Sequence, residues 1–242
     1  KMIVPMLIGT HQYEWSIQIF SRLFSKYWGD DKLIYFGDRQ ESTLPDNIQF
    51  RQVLCYSEGE WPWDHWFGNG LMSICDEMAG EIVALFLPDH WLNRPVNSEA
   101  LHTLGGYMQT KPELMRVNLT EDRSWDKAEL IEVYQGLDIL EIKPWDIHNG
   151  LNGGVTFCPS LWRMEQLKRL IQPHWTLWGC ERFGTEMVKM TYPKVRVIGS
   201  NPAVLSRTHG LVHGKPKAVN LTGLNREDRE MAMEFIPEGW QK

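Results

Sequence analysis

The chain has 242 residues, 43% of them hydrophobic, and its 31 acidic and 25 basic side chains give a net charge of -6. This balance disfavours a protein that covers duplex DNA with a broad basic surface, although a local basic groove stays open. No apolar stretch reaches the roughly 18 residues of a membrane helix, and no signal peptide precedes the first predicted strand, so we expect a cytoplasmic protein without a membrane span. Four cysteines without a CxxC pair indicate reduced thiols.

Strands and helices alternate in the first half of the sequence. Apolar runs predict strands at 2–9, 32–36, 48–54 and 82–87, and helical periodicity predicts helices that begin near residue 15 and cover 66–78 and 98–110. This order predicts an α/β fold, with one mixed, mostly parallel sheet flanked by helices in a single domain.

The second half is predicted to contain shorter elements. Predicted strands are 115–119, 154–158 and 195–198, with a hairpin at 131–142 that turns at Gln135-Gly136, and predicted helices are 161–171 and 181–190. Residues 208–217, which are rich in glycine, histidine and lysine, predict a mobile loop.

A buried strand that ends in polar residues is the strongest functional signal in the sequence. The apolar run 82–87 is followed by Pro88, Asp89, His90 and Trp91. Ligands of α/β proteins gather where such central strands end, so Asp89 is expected to lie at a site. A Pro-Asp sequence is also ordinary turn chemistry, and that interpretation stays open.

Short motifs in a fixed order resemble nucleotide-sugar glycosyltransferases of the GT-A type, in particular a bacterial and viral branch. They are Tyr27-Trp28 after the first helix, the helix led by Trp66, the strand end Leu87-Pro88-Asp89-His90-Trp91, the Pro-x-x-Trp segment that ends at Trp162, and Trp178 followed by Glu181. The resemblance covers residues 1–215. It implies a GT-A-like, Rossmann-like domain in which residues 1–92 bind the nucleotide sugar, residues 93–206 face the acceptor and residues 207–242 form a C-terminal loop and tail.

The activity that this resemblance implies is transfer of a hexosyl or pentosyl group from a nucleoside diphosphate sugar to a hydroxyl acceptor, with inversion. Asp89 would organise the diphosphate, either directly or through a divalent cation such as Mn²⁺ or Mg²⁺. The family pattern has two adjacent acids there, and Pro88 replaces the first. Glu181 would be the general base, with an acid at a helix N-terminus as the structural alternative.

Further residues are expected to contact the donor or the acceptor. The predicted donor contacts are Thr10, His11, Gln12, Tyr13 and Asp38, together with His213 and Lys215 from the late basic loop; the predicted acceptor contacts are Trp66, Trp91, Trp162 and Trp178. Aromatic faces suit sugars and bases, but they also fill cores. Caps and turns use the same polar residues.

Two other functions stay open. Pro88 and Arg182, which stand where the family pattern has acids, would permit a catalytically inactive sugar- or nucleotide-binding module. A viral enzyme of this fold would instead glycosylate a hydroxymethylated pyrimidine in DNA, with Arg163, Lys168 and Arg169 as a local basic track. The sequence lacks HExxH, G-x-S-x-G, Walker and GxGxxG signatures, which disfavours zinc hydrolases, serine hydrolases, ATPases and dinucleotide dehydrogenases.

Overall fold

A computed structural model describes residues 3–39, 43–53, 67–121, 128–143, 154–211 and 218–240. The strands in these ranges are β1 (Ile3–Ile8), β2 (Leu33–Gly37), β3 (Ile48–Gln52), β4 (Ile82–Phe86), β5 (His90–Leu92), β6 (Leu114–Asn118), β7 (Ala128–Tyr134), β8 (Leu137–Ile142), β9 (Ser160–Arg163), β10 (Arg196–Asn201) and β11 (Arg207–His209). The helices are α1 (Glu14–Tyr27), α2 (Phe67–Glu77), α3 (Ser98–Thr110), α4 (Met164–Lys168), α5 (Leu177–Thr191) and α6 (Arg226–Met233), and a 3-10 turn covers His11–Tyr13.

The main sheet has nine strands in the order β3-β2-β1-β4-β9-β6-β10-β8-β7. Strand β1 is parallel to both of its neighbours, and Met6 is aligned with Ile34 of β2 and Leu85 of β4. Strand β9 is antiparallel to β4 and β6, and the β7–β8 hairpin extends the far side with antiparallel pairing. The predicted mixed sheet of an α/β fold is therefore confirmed.

Helices cover both faces of this sheet because successive strand side chains point in opposite directions. Leu7 belongs to the same apolar cluster as Phe20 of α1, whereas its neighbour Met6 belongs to a second cluster with Leu71 of α2. The buried positions of α1 follow helical spacing, and the Phe20 ring lies 5.4 Å from the ring of Phe86 on β4. None of the helices in the described ranges is long and apolar enough to cross a membrane.

The order of the parallel strands reverses between β1 and β4. From β1 the chain moves outward to β2 and β3, and it then returns to β4 on the opposite side of β1. Connections that leave in opposite directions open a crevice at the carboxyl ends of the two strands, where ligands of open α/β sheets bind. The two ends are in close contact, since a Cβ added at Gly9 would lie only 2.7 Å from Pro88 Cγ.

The N-terminal elements and the hairpin agree with the sequence predictions. The helix predicted at 98–110 is α3, and the β7–β8 turn falls at Gln135 and Gly136, whose φ angles of 48° and 84° suit a type I′ hairpin. The helix predicted from residue 181 begins earlier, at Leu177, because the Thr176 side chain accepts a hydrogen bond from the Gly179 amide and caps it.

Two predicted elements in the second half are wrong. Residues 154–158 form no strand, and the segment predicted as a helix at 161–171 begins with strand β9 and continues into the short helix α4. The apolar residues Leu161, Met164 and Leu167 have helical spacing, but pairing of β9 with strands on both sides outweighs that local preference. The predicted loop at 208–217 also needs correction, because Thr208 and His209 belong to strand β11.

Candidate functional site

A two-stranded ribbon outside the main sheet forms the centre of the candidate site. Strand β5 begins directly after Asp89 and pairs antiparallel with β11, so that His90 lies opposite His209. The Gly210 amide donates a hydrogen bond of 2.6 Å to the backbone oxygen of Asp89. This pairing brings His209 close to Asp89 and His90, which are neighbours in a distant part of the sequence.

Asp89, His90 and His209 form a compact group of potential metal ligands. His209 Nδ1 lies 3.2 Å from Asp89 Oδ2, and His90 Nε2 lies 3.9 Å from Asp89 Oδ1. One ligand atom from each residue lies within 4.8 Å of the other two. Carboxylate and imidazole groups bind divalent transition metals, whereas Mg²⁺ prefers oxygen ligands. The donor set therefore fits a divalent transition-metal ion better than it fits Mg²⁺.

Trp91 supports this group from the core. Its side chain is fully buried, and its indole Nε1 donates hydrogen bonds of 3.0 Å to Ser16 Oγ and 3.0 Å to the Pro88 carbonyl. A Cβ added at Gly210 would lie 2.6 Å from the indole ring, so only glycine permits β11 to approach so closely. Trp91 therefore has no exposed face for the acceptor contact expected from the sequence, and we assign it a supporting role instead.

Gly210→Ala is expected to destabilise the fold by about 1–3 kcal/mol through overpacking. The added methyl group would press on the Trp91 ring and move His209 away from Asp89, so the affinity for Mn²⁺ should also fall. Urea unfolding and titration calorimetry measure the two effects. The matched control is Gly106→Ala on α3, where no atom of another described element lies within 4 Å of the added Cβ. An unchanged Mn²⁺ affinity in Gly210→Ala would contradict the supporting role of this contact.

His11 and Asp38 form a second pair, at the ends of β1 and β2. The His11 amide donates to Asp38 Oδ1 at 2.9 Å, and His11 Nδ1 lies 2.5 Å from Asp38 Oδ2. Because a carboxylate oxygen accepts, Nδ1 is the donor in this contact, and Nε2 is an acceptor whenever the ring carries a single proton. The two predicted donor contacts are therefore bound to each other, and the His11 ring is oriented by Asp38.

The other predicted donor residues lie in the turn after β1. The Thr10 carbonyl accepts a hydrogen bond of 2.9 Å from the Tyr13 amide, and this bond closes the turn. Thr10 is buried, Gln12 is exposed and Tyr13 is partly buried. Burial, followed by the negative charge of Asp89, raises the pKa of Tyr13, so the phenol stays neutral at neutral pH. The Asp89 carboxylate is thus close enough to Tyr13 to affect the pKa of its phenol.

Glu181 lies in α5, after the first helical turn, and is buried. Its Oε1 accepts hydrogen bonds from Phe157 N at 2.8 Å and Thr156 Oγ1 at 3.0 Å, and Oε2 accepts none from the described residues. Burial raises the pKa of Glu181, while these two bonds and the positive charge of Arg116 oppose the rise. A position beyond the first turn does not support a simple role as an acid at the helix N-terminus.

The predicted tryptophans differ in exposure. Trp162 lies on β9 and is fully buried, with the Arg116 guanidinium 5.8 Å from its ring, so it too offers no surface to an acceptor. Trp178 on α5 is 57% exposed and keeps the expected acceptor role as a proposal. The predictions for Trp66, His213 and Lys215 lie outside the described residues.

His209 is a candidate metal ligand that the sequence patterns did not single out. The basic composition of 208–217 pointed to this region, but its spacing from Asp89 gave no indication that the two side chains meet. The pairing of β5 with β11 decides their contact.

No family model matches the chain, and no curated protein sequence matches it. Among solved structures, the chain is similar to the crystal structure of S. aureus TarS, with 13% identity, a TM-score of 0.49, and coverage of 86% of this chain and 37% of that one. It is also similar to UDP-glucose pyrophosphorylase from Acinetobacter baumanii, with 8% identity, a TM-score of 0.48, and coverage of 96% and 92%. The chain thus spans little more than a third of TarS. Likenesses of this size transfer no activity, substrate or partner to the chain.

Proposed function

We propose that this chain is a GT-A-like glycosyltransferase that moves a sugar from a nucleoside diphosphate sugar to a hydroxyl acceptor. The convergence of Asp89, His90 and His209 just after β4, at the point where the strand order reverses, carries the proposal. A crevice at this point suits a nucleotide, and a divalent-metal donor set at its mouth suits a diphosphate. In this proposal residues 1–92 bind the donor, residues 93–206 face the acceptor, and β11 returns to complete the donor site.

The nucleoside would bind along the ends of β1 and β2. His11, oriented by Asp38, presents Nε2 as a hydrogen-bond acceptor to an N–H of the base, and Tyr13 offers a ring for stacking. Asp89, His90 and His209 would hold the cation, which when bound would offset the negative charge of the diphosphate.

Glu181 would accept the proton of the attacking hydroxyl. In an inverting displacement the acceptor oxygen bonds to the anomeric carbon while the bond from that carbon to the diphosphate oxygen breaks, and the electron pair leaves with the diphosphate. Oε2 is the oxygen of Glu181 that remains to take the proton, since Oε1 accepts bonds from Thr156 and Phe157. The raised pKa makes this carboxylate a stronger base than an exposed glutamate.

Donor turnover tests the proposal. The protein is incubated with MnCl₂ and UDP, GDP, CDP or ADP sugars, with and without simple glycans, and released nucleoside diphosphate is measured. We expect release from one donor class, with a higher rate when a suitable acceptor is present. Binding without release would favour the catalytically inactive binding module. The burial of Glu181 and the presence of Pro88 beside Asp89 are the two observations that support that alternative.

A modified base in DNA is the less favoured acceptor. The guanidinium of Arg163 donates to backbone carbonyls at and after the end of α3, and the Lys168 amino group pairs with Asp76. Both side chains therefore have structural partners within the protein, which weakens the basic track expected for a DNA backbone.

A further inference from the structure

We infer that residues 218–240, called the strap below, hold β11 against β5 and so keep His209 beside Asp89. This inference goes beyond the proposed function, because it concerns how the site is assembled and not the reaction. Each strand of the β5–β11 ribbon has only three residues, and a two-stranded ribbon is marginally stable unless it packs against further elements. Strand β5 has such support from α1, since Trp91 Nε1 donates to Ser16 Oγ. Strand β11 needs support from elsewhere.

The beginning of the strap pairs with the residues that follow β11. The Asn220 amide donates a hydrogen bond of 2.8 Å to the Gly210 carbonyl, and Val219 forms an antiparallel bridge with Leu211. These bonds begin one residue after His209. The strap therefore continues the pairing of β11 next to a candidate metal ligand.

A glycine of the strap lies against the back of the ribbon. Gly223 has a φ of 93°, and a Cβ added there would lie 2.6 Å from Thr208 Oγ1. Thr208 Oγ1 also accepts a hydrogen bond of 3.2 Å from Asn93 Nδ2, just after β5. Alternate residues of a strand point to opposite faces, so Thr208 points away from the face that carries His209. The strap thus supports the ribbon from behind the metal-ligand group.

The far end of the strap reaches the other strand of the ribbon through aromatic rings. The Trp240 ring lies 5.0 Å from the ring of Trp15 on α1, and the Trp15 ring lies 6.3 Å from that of Trp91 on β5. Trp91 is the chain neighbour of His90. The strap therefore contacts β11 directly and β5 through Trp15.

One buried carboxylate fixes the strap to α1. Asp228 lies on α6, and its Oδ1 accepts a hydrogen bond of 2.7 Å from Lys26 Nζ. Its Oδ2 accepts bonds from the Tyr27 hydroxyl and, at 2.8 Å, from Asn225 Nδ2. With eight residues, α6 is too short to be stable as an isolated helix. We therefore expect this anchor, the strap and the end of β11 to open as one cooperative unit.

Amide hydrogen exchange, measured by mass spectrometry on wild-type and Tyr27→Phe proteins, tests the inference. Tyr27→Phe removes the hydroxyl that donates to Asp228, at a position outside the ribbon. We expect exchange about tenfold faster or more both in α6 and at Gly210, whose amide donates to the Asp89 carbonyl, because a hydrogen bond to a charged group no longer opposes opening. Lys26→Met removes the bond to Asp228 Oδ1 and should give the same result.

The matched control is Tyr107→Phe, which removes a bond of the same kind between Tyr107 on α3 and Glu132 on β7. It should leave exchange at Gly210 within about twofold of wild type, because local opening does not depend on distant bonds. Faster exchange in α6 of Tyr27→Phe without a change at Gly210 would overturn the inference, since the strap would then open without the ribbon. Equal acceleration at Gly210 in the control, or no acceleration in Tyr27→Phe, would overturn it too.

Bound Mn²⁺ gives a second readout, because coupling between two sites is reciprocal. If the strap opens only after the ion leaves, MnCl₂ at about ten times its Kd should slow exchange in α6 of the wild type about tenfold. Exchange in α6 that ignores bound Mn²⁺ would contradict the coupling. A wild-type protein that binds no Mn²⁺ would remove the metal site on which the proposed function rests, and the comparison of Tyr27→Phe with Tyr107→Phe would still decide whether the strap holds the ribbon.

Discussion

Asp89→Asn is expected to reduce sugar transfer about 100-fold or more, which is the usual cost of removing one group that stabilises transition-state charge. Asparagine keeps the shape of the side chain and the backbone bond from Gly210, but it loses the negative charge beside His209 Nδ1. Binding of a divalent cation should weaken in parallel, because an amide oxygen is a poorer ligand than a carboxylate. Initial rates at saturating donor and calorimetric titration with MnCl₂ measure the two effects.

The control for this substitution is Asp31→Asn. Asp31 is exposed, and its carboxylate accepts from Trp28 Nε1 at 3.1 Å, a bond that an asparagine oxygen can also accept. The control should therefore keep both transfer and metal affinity. Full activity in a normally folded Asp89→Asn protein would remove Asp89 from the mechanism.

Glu181→Gln is expected to reduce transfer by about 10²–10⁴-fold, the usual contribution of a general base. Glutamine keeps a carbonyl oxygen that accepts the bonds from Phe157 and Thr156, so the fold should persist. The loss should appear in kcat rather than in donor affinity, because Glu181 would act on the acceptor. Single-turnover rates and donor binding separate these two quantities.

The pH dependence gives a second test of Glu181. Because burial raises the pKa of Glu181 above its ordinary value of 4.5, transfer should fall on the acid side at a pH higher than an exposed glutamate would give. The protein binds this proton more tightly when folded, so the contribution of Glu181 to stability is greatest at low pH and falls as pH rises through the folded pKa. Glu181→Gln should remove this pH-dependent loss of folding stability, and at neutral pH it should be no less stable than the wild-type protein. An acid limb identical in Glu181→Gln and wild type would assign the base to another residue.

Local sequence patterns were sufficient to predict the parallel strands of the sheet. The apolar run of β4 and the helical spacing of buried residues in α1 are clear local signals. They are clear because the buried side chains of each element follow its own sequence period. Strand β9 could not be predicted in this way, because its conformation depends on pairing with β4 and β6 on both sides.

One part of the candidate site could be proposed from a strand end in the sequence, whereas the other part depends on pairing between distant segments. Asp89 lies three positions after the last residue of the buried strand β4, and this strand end is the reason the sequence predicts a site residue there. The contact of His209 with Asp89 depends on the β5–β11 ribbon, and the close approach of Gly210 to Trp91 sets that ribbon. The burial of Trp91 and Trp162 likewise results from tertiary packing, since core and ligand-binding tryptophans have the same local sequence signals.

In the proposed function, a divalent cation on Asp89, His90 and His209 helps the chain hold a nucleoside diphosphate. The most direct measurement is the thermal stability of wild-type and His209→Ala proteins with UDP, GDP, CDP and ADP, each with and without MnCl₂. One nucleotide at about 100 times its Kd should stabilise the wild type by about 2.7 kcal/mol, and this stabilisation should require Mn²⁺ and be lost in His209→Ala. Stabilisation that is independent of Mn²⁺, or is retained in full by His209→Ala, would contradict a metal site on these three residues.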